Sequence, residues 1–272
     1  MTTPHTPVLV LAAGQRCGST LLQRLLTSHP GVLIWGEHGG QLGRILEAAD
    51  SLLSWSRELG GDARAEFSRN SHQSWMANLT PDRDVILRAL RTFVDTLYVE
   101  PAVRLGRPVW GLKEVRYTLA DARRLRSLYP GLAVILLIRD PHAVLRSLDE
   151  WERKTNGRWT RRLTEDAVVN WQRVAEDFLA PPEAGLPVLR LRYEDFVADP
   201  GGACEKIARH TGLDAGAFDP EVLATRVHVG EDFAHLARDI REWHALPASL
   251  RRLLDPPQMR SLIHACGYRA VA

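Results

Sequence analysis

The chain has 272 residues, 45% of them hydrophobic, and a formal net charge of +2. This is enough chain for one domain with insertions or for two small ones, with a real core in either case. The near-balanced charge excludes the strong field of a nucleic-acid or membrane-surface binder, no apolar run approaches the ~18–20 residues of a bilayer span, and three scattered cysteines, Cys17, Cys204 and Cys266, indicate neither a disulfide framework nor a zinc site.

In chain order, residues 8–13 form a short unbroken apolar run, the pattern of a strand covered on both faces. Gly14 and Gly18 flank a loop that carries Arg16, and Ser19 and Thr20 open a helix with Leu21, Leu22, Leu25 and Leu26 on its apolar side. Residues 32–35 read as a second strand after His29-Pro30-Gly31, and Gly36-Glu37-His38-Gly39-Gly40 follows it. From 41 to about 103 the pattern is helical, with expected breaks at Gly60-Gly61 and Thr80-Pro81; Trp55, Phe67, Trp75, Phe93 and Tyr98 lie there. Residues 108–115 read as a third strand and 119–129 as a helix ended by Pro130-Gly131. The clearest buried strand is 133–138. Asp140 then supplies an N-cap and Pro141 the first helical position. A loop at 155–160, a helix at 163–179, a strand at 188–192 and further helices complete the chain.

Strands alternating with helices predict an α/β fold with a central parallel sheet flanked by helices. No repeat or linker divides it, so a single domain is expected, with about 41–103 as a helical insertion. The opening MTTPHTP lacks the basic and apolar parts of a secretory leader, and a cytoplasmic protein is expected.

Two segments carry anion chemistry. A glycine loop running into a helix presents unpaired N–H groups and a partial positive charge, and Arg16 adds a permanent cation. The lysine-bearing phosphate loop of nucleotide triphosphatases, G-x-x-x-x-G-K-[ST], is not matched: the spacing from Gly14 to Gly18 is one residue short, and Ser19 stands where the lysine would be. The second segment runs from Arg139, at the carboxyl end of the fourth strand, to Ser147 on the next helix. An arginine fork and a serine hydroxyl at a sheet's carboxyl edge suit a phosphate.

The loop R-x-G-S-T-L-L at 16–22 and R-D-P-x-A-V-x-x-S at 139–147 resemble, in order, the 5′-phosphosulfate and 3′-phosphate motifs of sulfotransferases that use 3′-phosphoadenylyl sulfate (PAPS), especially bacterial and Golgi-type members. Leu191-Arg192-Tyr193-Glu194-Asp195-Phe196 is similar to the family's Y-E-D-L segment. The resemblance implies a fold like that of P-loop kinases, with PAPS as co-substrate and no metal. It also implies that Arg16, Cys17, Gly18, Ser19 and Thr20 hold the phosphosulfate, with Cys17 where the family often has serine. Arg139 and Ser147 would hold the 3′-phosphate, and Tyr193 would lie near the adenine or else serve as core. The family's late K-G or R-K-G loop is missing; Arg238, Arg241 and Trp243 are its candidate substitutes.

Sulfuryl transfer to an alcohol needs a base, in-line geometry and charge stabilisation on the leaving phosphate. Glu37 is the first candidate base, because the second strand delivers it to the edge that bears the cradle; His38 is the alternate, since its ordinary pKa of ~6.5 suits neutral pH. Lys113 is one of only three lysines in an arginine-rich chain. By resemblance it would stabilise charge at the bridging oxygen, and a salt bridge to Glu114 or Glu37 is the alternative. Arg116 either touches the acceptor or makes a structural pair. The expected partner is a hydroxyl acceptor, a small molecule, sugar or natural product, with the 41–103 region on the acceptor side; its aromatic residues either line the acceptor pocket or serve as core. A magnesium-dependent nucleotide kinase and a non-catalytic nucleotide-binding protein are the competing readings.

Overall fold

A computed structural model of the chain describes residues 7–73, 75–155, 158–224 and 240–269. Five strands, β1 (Val8–Ala12), β2 (Val32–Trp35), β3 (Val109–Glu114), β4 (Ala133–Ile138) and β5 (Val188–Arg192), form an all-parallel sheet in the order β2-β3-β1-β4-β5. Every residue of β1, β3 and β4 is buried. Both faces of the sheet's centre are therefore covered, as unbroken apolar runs demand.

β1 pairs with β3 on one side and β4 on the other, so that Val10 lies opposite both Lys113 and Ile135. The chain builds β2 and β3 on one side of β1, then crosses to the other side for β4 and β5. The carboxyl end of β1 is thus the point where strand order reverses, and an open α/β sheet offers its ligand crevice there.

Helix α1 (Ser19–Ser28) starts directly from Gly18 and buries Leu22, Leu25 and Leu26. The expected break at Gly60-Gly61 does not occur. Helix α2 (Gln41–Trp55) passes through a π-turn at Ser56–Gly60 into α3 (Gly61–Asn70), with both glycines in right-handed helical conformation. Gly60 is there for space: a Cβ would lie 2.6 Å from Thr80 Cγ2 and 2.8 Å from Arg64 Nη1. The break at Thr80-Pro81 is present, and α4 (Arg83–Val94) begins after Asp82, whose carboxylate accepts from the Val85 N–H at 2.9 Å. A second π-turn at Asp95–Val99 leads into α5 (Glu100–Arg104).

Helix α6 (Leu119–Leu128) is opened by reciprocal bonding of Thr118 and Asp121. Helix α7 (Pro141–Lys154) has the expected cap, Asp140 accepting from the His142 N–H at 2.9 Å. Helix α8 (Arg161–Leu179) starts two residues before its first apolar residue, because Thr160 is the cap. Helix α9 (Tyr193–Ala198) follows β5 without a loop. Among the described residues, no helix is long and apolar enough to cross a membrane.

Candidate active site

The loop between β1 and α1 is wound tightly. Gly14, Arg16 and Gly18 have φ of 73°, 66° and 89°, the left-handed region that glycine tolerates and arginine occupies at a cost. The glycines are also needed for space: a Cβ on Gly14 would lie 2.5 Å from the Ala167 carbonyl of α8, and one on Gly18 would collide with the Tyr193 ring. Ser19 is buried and Thr20 exposed at the start of α1. Cys17 turns inward, its thiol donating to the Gly14 carbonyl at 2.9 Å, so only its main chain is available to a ligand. Burial drives the Cys17 pKa up to about 11, against the opposing pull of the Ser19 N–H, Arg139 and Lys113.

The segments around Arg16 and from Arg139 to Ser147 form one cluster. Arg16 Nε donates to Ser147 Oγ at 3.0 Å, and its guanidinium lies 5.1 Å over the Trp151 ring. Arg139 Nη1 donates to the Arg16 carbonyl at 2.9 Å, and the Arg139 guanidinium lies 4.3 Å over the Tyr193 ring. The Arg139 Nε is buried without a hydrogen-bond partner among the described residues, an unmet donor at the carboxyl end of β4. Trp171 of α8 fixes the main chain there, its Nε1 donating to the Arg139 carbonyl at 2.8 Å. Tyr193 also borders a groove of about 600 Å³ walled by Leu21, Val197, Pro220 and Leu223.

A second cluster sits past the ends of β2 and β3. Lys113 is nearly buried, and its Nζ donates to Glu37 Oε1 at 2.5 Å. Arg116 Nη1 donates to Glu37 Oε2 at 3.0 Å. Of the two pairings left open for Lys113, Glu37 is therefore the one found, and Arg116 has the same partner. Both clusters act on one loop, since Arg139, Lys113 and Glu37 all influence the Cys17 thiol.

His38 belongs to a different arrangement. Its Nδ1 lies 2.9 Å from the Tyr98 hydroxyl, its ring stacks on Tyr98, and Tyr98 stacks on Trp110. Burial raises the Tyr98 pKa, with the Glu114 carboxylate adding to the effect.

Sequence reasoning missed Glu114 as a site residue. Its carboxylate is 2% exposed and accepts from the backbone N–H of His38 and of Gly40, both at 3.0 Å. One buried carboxylate at the end of β3 thus pins the chain immediately after Glu37 at two points. Glu194 was also missed: it accepts from the Asp140 N–H at 3.0 Å and the Tyr268 hydroxyl at 2.9 Å, tying the start of α7 to the C-terminal region. Its signal was its place in the quoted Y-E-D segment.

Other expectations fall differently. Trp55, Phe67, Trp75 and Phe93 are exposed, while Tyr98 is buried in the His38 stack. Arg241 pairs with Asp149 of α7 at 3.7 Å, its carbonyl accepts from Arg146 at 2.7 Å, and Trp243 packs edge-on against His142. The charge of Arg241 is thus engaged by a buried carboxylate on the helix that carries Ser147. Arg238 lies outside the described residues.

A family model with the description "Sulfotransferase family" matches residues 7–219. Among solved structures, the sulfotransferase domain from the Synechococcus PCC 7002 olefin synthase aligns with a TM-score of 0.55 at 20% identity, covering 100% of this chain and 98% of that one. The sulfotransferase domain from the curacin biosynthetic pathway aligns with a TM-score of 0.54 at 17% identity, covering 100% of both chains. At such identities the likeness speaks to fold. No curated protein matches the sequence.

Proposed function

This chain belongs to the sulfotransferase family, and from that premise we propose that it moves a sulfuryl group from PAPS to a hydroxyl acceptor, giving the 3′,5′-bisphosphate (PAP) and a sulfate ester. The observation that carries the donor assignment is the meeting of Arg16, Ser147 and Arg139 at the carboxyl ends of β1 and β4. A donor with phosphate at two positions needs two anion sites within one nucleotide's reach, and two motifs far apart in sequence supply them. The residues fit such a group: the Arg139 Nε is a buried donor without a partner among the described residues, and Tyr193 borders a groove with apolar walls at Leu21, Val197, Pro220 and Leu223, suited to a base. Family membership sets the nucleotide-kinase reading aside.

When bound, PAPS would supply an activated sulfuryl group on its phosphosulfate anhydride. Arg16 and the start of α1, with Gly18, Ser19 and Thr20, would hold the phosphosulfate; Arg139 and Ser147 would hold the 3′-phosphate. Glu37 would accept the hydroxyl proton of the acceptor. Lys113 and Arg116 fix its two oxygens, which orients the carboxylate and leaves two cations beside the developing charge. His38, engaged with Tyr98, is the second choice. The three cysteines are free and buried, which suits a reducing cytoplasm.

The test is turnover of PAPS with a panel of hydroxyl compounds, following PAP release and the gain of one sulfuryl group by mass spectrometry. PAP formation that depends on an acceptor is expected. Binding of PAP without turnover across the panel would favour the non-catalytic reading.

A further inference from the structure

A cleft of about 400 Å³ opens between the first turns of α2, the turn from β3 to α6, and α8. It begins at Gly39 and Gly40, just past Glu37, and at Arg116, which holds Glu37. Gly39, Gly40 and Gly43 line it at the start of α2, where a Cβ on Gly43 would lie 2.9 Å from the Tyr117 ring, and Arg44 and Glu47 of the same helix supply side chains beside them.

The walls do not suit an aromatic or aliphatic acceptor. Arg44, Glu47, Asp166, Asn170 and Arg173 line the cleft, and their side chains make no hydrogen bond or ion pair among the described residues. Val169 is the exposed apolar residue among them. The aromatic residues Trp55, Phe67, Trp75 and Phe93 take no part in the lining. An apolar ligand would strip water from these polar groups and return no bonds. A hydroxyl donates to a carboxylate and accepts from a guanidinium, so a ligand bearing several of them satisfies both kinds of wall. With Arg116 and Asp121, which also line the cleft, the three arginines and three carboxylates balance, which favours a neutral ligand.

We propose that this cleft is the acceptor subsite and that the acceptor is a neutral polyhydroxylated molecule, a sugar or a sugar-bearing compound. The proposal rests on the reading of Glu37 as the base, and its test is arranged to stand apart from the donor assignment. Binding of methyl hexosides, phenol and 1-octanol is read by saturation-transfer NMR without nucleotide, on the wild type, Asp166→Ala and Arg173→Ala. Both positions are on an exposed part of α8, and PAP binding is measured on the same samples by calorimetry. The expected result is hexoside binding weakened about ten-fold or more by each substitution, the scale of a lost charged hydrogen bond, with PAP affinity unchanged. Failure to bind any hexoside, tighter binding of phenol or octanol, or hexoside binding indifferent to both substitutions overturns the proposal. Hexoside binding that obeys the substitutions, in a protein that does not bind PAP, supports the cleft assignment and overturns the donor reading.

Discussion

Arg16 Nε donates to Ser147 Oγ across 3.0 Å, so the cation of one anion motif and the hydroxyl of the other are bonded to each other. A bound donor would compete for both groups. PAP affinity should therefore show coupling between them: in a cycle of Arg16→Ala, Ser147→Ala and the double variant, the interaction energy is expected at about 0.5–3 kcal/mol. Calorimetric titration of the four proteins measures it, and strict additivity would show that the two groups serve PAP independently.

Glu37→Gln removes the candidate base while keeping its shape. Turnover should fall by roughly 10²–10⁴, the usual contribution of a positioned base, and PAP should bind as before. Stopped assays of PAP release beside calorimetry separate the two effects. Full activity in this variant would return attention to His38.

Glu114→Gln should act through the turn that holds Glu37. Oε1 receives the N–H groups of both His38 and Gly40, while Oε2 accepts from the Val115 N–H at 3.3 Å and faces Arg116 Nη1 at 3.7 Å; a glutamine keeps one accepting oxygen and turns an NH2 toward the donors of the other side. A stability loss of about 1–3 kcal/mol is expected from an unmet buried group. kcat should drop while the KM for PAPS holds, because the donor-side cluster is built on other strands. A fall in stability with kcat intact would make Glu114 purely structural.

Cys17 gives a pH signature. Its buried thiol has its pKa raised to about 11, against about 8.5 for an exposed one. Below the unfolded value both states are protonated, and the buried neutral thiol contributes its full stability. As pH climbs toward the folded value the unfolded thiol ionises first, and that contribution is lost. Thermal midpoints from about pH 8 to about pH 10.5 should therefore fall more steeply for the wild type than for Cys17→Ala. Parallel curves would place the alkaline loss elsewhere.

The sheet could be read in the sequence because its signals are local. An unbroken apolar run such as 133–138 has one good environment, and Asp140-Pro141 encodes its own cap. The Gly60-Gly61 expectation failed because glycine was read as a breaker, whereas here it admits Thr80 and Arg64 against a continuous helix. Glu114 was hidden for a different reason: its partners are main-chain N–H groups of residues 38 and 40, and nothing near position 114 announces them. The cleft was hidden too, since Asp166, Asn170 and Arg173 have the spacing of any solvated helix face. Only the approach of α2 distinguishes them.

Arg139 reaches the cradle loop through a main-chain atom, the carbonyl of Arg16. Placement and charge can thus be varied separately at residue 16. A change such as Arg16→Lys or Arg16→Gln alters what the loop offers an anion yet leaves the Arg139 anchor its acceptor. The φ of 66° there favours unbranched side chains over valine or isoleucine. Position 16 is therefore a natural site for changing the charge that the loop presents, with the surrounding architecture left as it is.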